Sequence, residues 1–258
     1  MTETPVFLMS PPREDWQLRG RSNQLSQGAS IVNAHQARVE WSGLADAIVE
    51  AGGDVLVLPP NPRENLTGLP YCAESGEFYV DENEQPRFIL PSMCHEHRRP
   101  EAAWIGGFME GLGFKTHQVG VVWEAQGDGI RTHDGRIVHT FGSGRYRRTE
   151  ARAYGEVARL LSPEHIQLHF HADPWFHGNT FMNVYHGAEM PLRLGEDEPR
   201  VPQLLVVCPD ALLPGELARL TDFLPNAEVL KISRRDSLKS DSTLVQVNGT
   251  VLASETVS

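Results

Sequence analysis

Three histidines and an aspartate lie within one short stretch of the sequence, QLHFHADPWFHGNTF at 167–181. His169 and His171 are two residues apart, so both lie on the same face if this stretch is a strand. Asp173 follows two residues later, and His177 four residues after that. Three interpretations fit this set: a metal site, a general base with its helper, or the polar end of a strand. The spacing alone does not choose between them.

Further ionisable residues follow other apolar stretches of the chain. The segment VVWEAQGDG places Glu124 and Asp128 just after a strand, and GLPYCAESG places Glu74 between two glycines. Carboxylates and a histidine gathered at strand ends form a negatively charged, partly dry pocket. Such a pocket suits a bound cation and proton transfer.

A metal-dependent hydrolase is one alternative. His169 and His171, with His177 six residues after the second, resemble zinc ligand sets if Glu124 joins them. The segment Cys94-His95-Glu96-His97 offers more ligand types, but its consecutive residues match no standard ligand spacing. We therefore keep a metal centre at His169 and His171 as an alternative and assign no metal ligands.

These residues must be positioned by elements that recur along the chain. Four segments with helical apolar spacing each lead into an apolar strand. They are 34–51 before DVLVLPP, 99–114 before KTHQVGVV, 149–161 before IQLHFH, and 214–224 before EVLKIS. Strand pairs lie between them, and Asp134-Gly135 and Asn248-Gly249 mark two hairpin turns. The predicted unit is strand, strand, helix, strand.

Repetition of one such unit predicts an α/β ring or propeller rather than a doubly wound sheet. We expect residues 1–258 to form a single domain. The final hairpin, at 242–254, begins a further unit whose helix and closing strand are missing from the sequence. The last unit is therefore expected to be incomplete in this chain.

Composition limits the class of protein. The chain has 258 residues, 40% of them hydrophobic, with a net charge of -11 and no basic stripe, which argues against nucleic-acid binding. No stretch is long enough to span a membrane, and the N-terminus lacks the cationic start of a signal peptide, so we expect a cytoplasmic protein. Cys72, Cys94 and Cys208 form neither a disulfide framework nor a zinc pattern.

The order of several motifs resembles the guanidino-group-modifying superfamily. These motifs are GLPxxxExG, HRRPE, WEAQGDG, RRT and HADPWF, and together they cover nearly the whole chain. That group contains arginine deiminases, dimethylarginine dimethylaminohydrolases and arginine:glycine amidinotransferases. The resemblance implies a five-bladed α/β propeller, no cofactor, and a small cationic guanidino substrate.

The resemblance also implies roles for individual residues. Glu124 resembles the acid that orients and charges a catalytic histidine, and His171 with Asp173 resembles the H-x-D pair. In that pair the histidine is the general acid/base and the aspartate binds the guanidinium. Ala125 replaces a glycine of the family pattern.

Four more residues correspond to binding or structural positions. Glu74 falls where the family has a guanidinium-binding aspartate or asparagine, and it is one methylene longer. Arg98 and Arg148 resemble arginines that grip a substrate carboxylate. Asp128 resembles a structural aspartate that holds its loop by hydrogen bonds to backbone N–H groups.

The nucleophile of the family is a cysteine near the C-terminus, and none of the three cysteines matches its position. Three explanations stay open: a second polypeptide supplies the thiol, the sequence is truncated, or the protein is a non-catalytic guanidino-binding or partner subunit. We predict a guanidino C–N hydrolase, favoured over an amidinotransferase because nothing marks an acceptor site. In the first of the three explanations its partner is a second chain that completes the propeller and supplies the cysteine.

Overall fold

The computed structural model describes residues 4–20, 23–27, 32–186, 203–239, 245–248 and 250–252. Its helices are α1 (Gln24–Gln27), α2 (Ala34–Glu50), α3 (Glu101–Gly111), α4 (Tyr154–Leu161), α5 (Glu216–Phe223) and α6 (Arg234–Lys239). Its strands are β1 (Val6–Met9), β2 (Asp54–Val57), β3 (Glu77–Val80), β4 (Pro86–Leu90), β5 (Lys115–Gln118), β6 (Gly129–Arg131), β7 (Ile137–Ser143), β8 (His165–His171), β9 (Met182–His186), β10 (Gln203–Val207), β11 (Ala227–Lys231), β12 (Val245–Val247) and β13 (Thr250–Leu252).

Three sheets of three strands share one topology. Their strand orders are β3-β4-β5, β6-β7-β8 and β9-β10-β11. In each, the first two strands are antiparallel and the second pairs in parallel with the third, which it reaches through α3, α4 or α5. The predicted strand, strand, helix, strand unit is therefore confirmed, and the chain is α/β. Within the described residues no sheet closes on itself, so the five-bladed ring stays a prediction.

The first and last elements pack beside each other. The strand β1, which the sequence analysis did not predict, pairs in parallel with β2 across α2, and β12 pairs antiparallel with β13. Val247 of that hairpin packs against Met9 and Ile48. The Asn248 side chain donates hydrogen bonds to the carbonyls of residues 51 and 52. The remainder of the predicted hairpin, including its turn glycine and positions 242–244 and 253–254, lies outside the described residues.

Local sequence explains the boundaries of α2. The Asn33 side chain accepts a hydrogen bond of 3.0 Å from the backbone N–H of Gln36, which caps the first turn. Gly52, with φ of +86°, takes the left-handed conformation that ends a helix. Of the face predicted to be apolar, Ile48 is fully buried, whereas Leu44 is 39% exposed.

The largest buried side chains lie between the helices and the sheets, where they fix the loops at the strand ends. Trp123 and Tyr154 share one apolar cluster, and Phe170 and Phe181 share another. These clusters anchor the β5–β6 loop and the β8–β9 connection, which carry Glu124, Asp128 and His177. No helix in the described part of the chain has the length and apolar character needed to cross a membrane.

Candidate functional site

A short backbone bridge brings two loops together. Ser92, after β4, and Trp123, after β5, exchange N–H to carbonyl hydrogen bonds of 2.9 Å in each direction. Glu124 follows the bridge and receives a 2.8 Å hydrogen bond at Oε1 from the backbone N–H of Cys94. The N–H of Glu124 donates to the Thr149 hydroxyl at 3.0 Å. The Glu124 carboxylate is therefore fixed from two sides in the interior, and only 1% of the residue is exposed.

The imidazole of His177 lies between two carboxylates. Its Nε2 is 2.7 Å from Oε2 of Glu124, and its Nδ1 is 3.2 Å from Oε1 of Glu74. All three residues are buried. Both ring nitrogens face acceptors, and the imidazolium form satisfies both because it carries an N–H at each nitrogen. The two carboxylates therefore fix the orientation of the ring.

Asp128 holds the backbone that carries this histidine. Its Oδ1 accepts hydrogen bonds from the N–H of Gly178 at 3.0 Å and from the Thr140 hydroxyl at 2.9 Å. Its Oδ2 lies 3.9 Å from His177 Nε2. The backbone of Gly127 packs closely on this histidine, since a Cβ at that position would lie 3.1 Å from the His177 ring. The hydrogen bond from the Gly178 N–H ties Asp128 to the loop after β8 rather than to its own loop, and its predicted structural role stays a prediction.

Burial and partners act on the carboxylates in opposite directions. Burial alone would raise the pKa of Glu124, but the hydrogen bond and positive charge of His177, aided by Arg148 and Arg98, outweigh it and lower the pKa to about 2. Burial raises the pKa of Asp128 above its ordinary value despite nearby hydrogen-bond donors. Glu124 is therefore held ionised as the partner of the histidine.

Arg98 contacts Glu74, and each of its three guanidinium nitrogens donates a hydrogen bond to a protein acceptor. Nη1 donates to Oε2 of Glu74. Nε and Nη2 donate to the carboxylate of Glu101, with Nη2 to Oε2 at 2.8 Å, and Nη2 also lies 3.3 Å from the Gly68 carbonyl. The sequence analysis assigned Arg98 to a substrate carboxylate, whereas here its guanidinium bonds to two carboxylates of the protein.

Arg148 is a second arginine whose charge acts on Glu124, and it is buried, with 6% of the residue exposed. Its guanidinium carbon lies 5.6 Å from the centre of the Phe176 ring, in cation–π geometry. Burial lowers the pKa of Arg148, and the Glu124 charge partly offsets that effect. This is a cation held next to the acidic centre, and its predicted role toward a substrate carboxylate stays a prediction.

The structure does not bring every predicted residue to this centre. His171 and Asp173 are exposed at the end of β8 and beyond it, and His169 stacks on Phe141 with ring centres 4.6 Å apart. The histidine that contacts Glu124 is His177, so the expectation that Glu124 serves His171 is corrected. The physical reason is strand alternation: the buried face of β8 carries Leu168 and Phe170, which leaves the histidines on the opposite face.

A repeat-based signal could have identified His177. Glu124 and His177 each precede a three-residue 3₁₀-helix, Ala125–Gly127 or Gly178–Thr180. In both units the first strand, β6 or β9, begins five residues after the acid or the histidine. The two residues therefore hold equivalent positions in consecutive units, which places them at the same kind of loop.

The three cysteines differ in their relation to the centre. Cys72 precedes Glu74 by two residues, its thiol lies 3.2 Å from the Leu69 carbonyl, and burial raises its pKa to about 12. Burial and the Glu124 charge raise the pKa of Cys94, whose backbone borders the site. Cys208 is fully buried in an apolar cluster. The raised pKa values of Cys72 and Cys94 are the opposite of what an activated nucleophile needs.

Glu74, Glu124 and His177 could also hold a metal ion. One ligand atom from each lies within 4.8 Å of the others, and this is the group of that kind found among the described residues. Hydrogen bonds within the cluster and from Arg98 already join these groups. The metal alternative centred on His169 and His171 receives no support from this geometry.

No family model matches the sequence, and a search of curated proteins finds no match. Solved structures do match. The N-terminal domain of ArgZ, an arginine dihydrolase from the ornithine–ammonia cycle in cyanobacteria, was solved as a cysteine-to-serine variant bound to substrate. It is 19% identical, with a TM-score of 0.74 over 98% of this chain and 85% of that one.

Two further structures extend the comparison. Unliganded AgrE is 20% identical, with a TM-score of 0.71 over 98% of this chain and 34% of that chain. DDAH from Pseudomonas aeruginosa, a cysteine-to-serine variant complexed with citrulline, is 15% identical, with a TM-score of 0.63 over 98% and 84%. These neighbours are guanidino-modifying enzymes with the pentein fold, and this chain has the same α/β fold.

Proposed function

We propose that the protein hydrolyses a C–N bond of a guanidino compound, with His177 as general acid and base and Glu124 as its charged partner. The observation that carries the proposal is the buried imidazole between Glu124 and Glu74. A planar guanidinium is a cation with N–H donors on its edges, so it suits a pocket lined by carboxylates. The shared fold with guanidino-modifying enzymes supports the same substrate class.

The proposed reaction has two halves. A cysteine thiolate attacks the guanidino carbon and forms an S–C bond, and a C–N bond breaks as His177 donates a proton to the departing amine. The neutral imidazole then takes a proton from water, whose hydroxide adds to the same carbon. The S–C bond breaks, which releases a ureido product and restores the thiolate. Glu124 stabilises the imidazolium at both ends of the cycle.

We propose that a second polypeptide supplies this thiolate. The raised pKa values of Cys72 and Cys94 and the core position of Cys208 support the proposal, since none of these is an activated thiol. We also propose that the repeated units, with β1–β2 and the β12–β13 hairpin, form one five-bladed propeller domain spanning 1–258. The shared topology of the three larger sheets supports that arrangement.

Variants of His177 and His171 test which of the two histidines takes part in the reaction. The protein, purified from its source with any bound partner, is assayed on L-arginine, methylated arginines and agmatine, with ureido product and released amine both measured. We expect E124Q and H177N to lower kcat by roughly 100-fold or more, as loss of a general acid or its partner does. H171N, an exposed histidine on β8, is expected to retain activity.

The reverse result, with H171N inactive and H177N active, would contradict the assignment. Transfer of the amidino group to an added amine, without ureido product, would replace hydrolysis by amidino transfer. A haloacetamidine, whose cationic amidine resembles the substrate, should alkylate the nucleophile. Mass spectrometry then locates the label: a label on Cys94 would refute the second polypeptide as the source of the thiol.

Binding without turnover is the second candidate function. The raised pKa of Cys94, the cysteine that borders the site, favours it, because a protonated thiol is a poor nucleophile. Calorimetry with the same compounds separates the two functions: saturable binding in protein that forms no product, even with its native partner, would support the binding role and overturn hydrolysis.

A further inference from the structure

We infer that Arg98 and Glu101 are positioning residues that fix the carboxylate of Glu74 against His177. The inference rests on the proposed function, because Glu74 is there a substrate-facing group. It also changes the role that sequence resemblance gave to Arg98, from contact with a substrate carboxylate to support of a protein carboxylate.

The two carboxylate oxygens of Glu74 contact different residues. Arg98 Nη1 donates to Oε2, and Oε1 faces Nδ1 of His177 at 3.2 Å. A glutamate side chain has three rotatable bonds, and a contact at each oxygen restricts all of them. Release of Oε2 would therefore let the carboxylate rotate away from the imidazole.

Arg98 is held in turn by Glu101. Glu101, at the first residue of α3, accepts from Arg98 Nε at 3.1 and 3.2 Å and from Nη2 at 2.8 Å, in bidentate geometry. Glu101 is 1% exposed and Arg98 has a side-chain exposure of 12%. The guanidinium also lies over the Tyr71 ring, 5.9 Å from its centre. Arg98 thus has a fixed orientation in the interior.

Arg98 and Glu101 pack against the backbone of Gly68. The N–H of Gly68 donates to Glu101 Oε1 at 2.9 Å. A Cβ at position 68 would lie 2.1 Å from Arg98 Nε and 2.3 Å from Glu101 Oε1, so only glycine leaves room for the pair. The glycine, the acid and the arginine form one unit whose remaining guanidinium nitrogen, Nη1, contacts Glu74.

The test uses a readout that a merely structural role would not change. Protein labelled with ¹⁵N-histidine reports the protonation and hydrogen bonding of each imidazole, and H177N assigns the signal. We expect E74Q and R98M to move the His177 signal in the same direction. The matched control is R136M, because Arg136 is also a little-exposed arginine paired with an aspartate, Asp134, and packed on an aromatic ring.

Kinetics test the same unit in the reaction. For a guanidino substrate that the wild type turns over, we expect R98M to lower kcat/KM roughly 10- to 100-fold, the range for a displaced binding group. R98K should restore little, because an ammonium cannot bridge two carboxylates in bidentate geometry. In an E74Q background, R98M should add almost nothing, since its effect passes through Glu74.

Two outcomes would overturn the positioning role of Arg98, and a third would overturn only the proposed function. A His177 signal in R98M identical to the wild type, or an equal change in R136M, would overturn the positioning role. If R98M does not fold, E101Q and R98K carry the same comparison. If the wild type turns over no guanidino compound, the proposed function fails, while the histidine signals still decide whether Arg98 positions Glu74.

Discussion

The side chain of His139 provides a quantitative test of how burial shapes this molecule. It lies on β7, is fully buried, and packs against Tyr154 with ring centres 4.4 Å apart. Neither of its ring nitrogens has a hydrogen-bond partner among the residues that the structure describes. Burial first, and then the positive charges of His165 and Arg131, lower its pKa to about 3.

The sign of the effect on stability follows from proton linkage. An unfolded histidine has a pKa of about 6.5, so between pH 6.5 and pH 3 the unfolded chain binds a proton that the folded protein excludes. Stability from this group is fully present above pH 6.5 and is lost as the pH falls toward 3. At pH 4.5 the loss is about 3 kcal/mol, from two pH units at about 1.4 kcal/mol each.

Urea unfolding of the wild type and His139→Phe at pH 7.5 and pH 4.5 measures this loss. Phenylalanine keeps the ring but cannot bind a proton, so the variant should gain about 3 kcal/mol on the wild type between the two pH values. H117F is the matched control, since His117 is exposed on β5 and its ring is in solvent whether or not the chain is folded. A gain below about 1 kcal/mol, or an equal gain in H117F, would refute the reasoning. If H139F fails to fold, H139Q replaces it.

Two further predictions concern the loop that carries the histidine of the site. In G178A the new Cβ would lie 2.2 Å from Thr140 Oγ1, so we expect a loss of about 1–3 kcal/mol in urea unfolding. G155A, in α4 with no atom of the described part of the chain within 4 Å of the new Cβ, should instead gain about 0.5–1 kcal/mol. Because burial raises the pKa of Asp128, its ionisation costs stability at high pH, so D128N should gain on the wild type as the pH rises through that raised pKa and lose the gain as the pH falls back to the ordinary pKa of aspartate. A constant difference across pH would contradict it.

The fold was predictable because its signals are local. Helical spacing ended by Gly52-Gly53 and the hairpin turn at Asp134-Gly135 define elements without reference to the rest of the chain. The observed α2 and the β6–β7 hairpin fall where those signals place them. The strand β1 lacks such signals, since its pairing with β2 depends on a contact across the whole of α2.

The site was predictable only in part, because which face of a strand is buried is a tertiary property. The period of two correctly grouped His169 with His171, but it could not show that Leu168 and Phe170 would take the buried face. Glu74 was singled out because it lies in a segment bounded by glycines, and Glu124 because it follows an apolar strand. Ala125, noted as a departure from a glycine, has φ of +48°, which is the backbone reason for glycine there.

The contacts of Glu74 constrain how the proposed substrate could reach this carboxylate. Its Oε2 is bonded to Arg98, which Glu101 holds in turn, and its Oε1 faces Nδ1 of His177. A guanidinium that binds Glu74 would have to displace the imidazole at Oε1, because displacing Arg98 would also break its pairing with the buried Glu101. The proposed function therefore predicts that a guanidino ligand weakens the contact between His177 and Glu74 and leaves the contact between His177 and Glu124 in place.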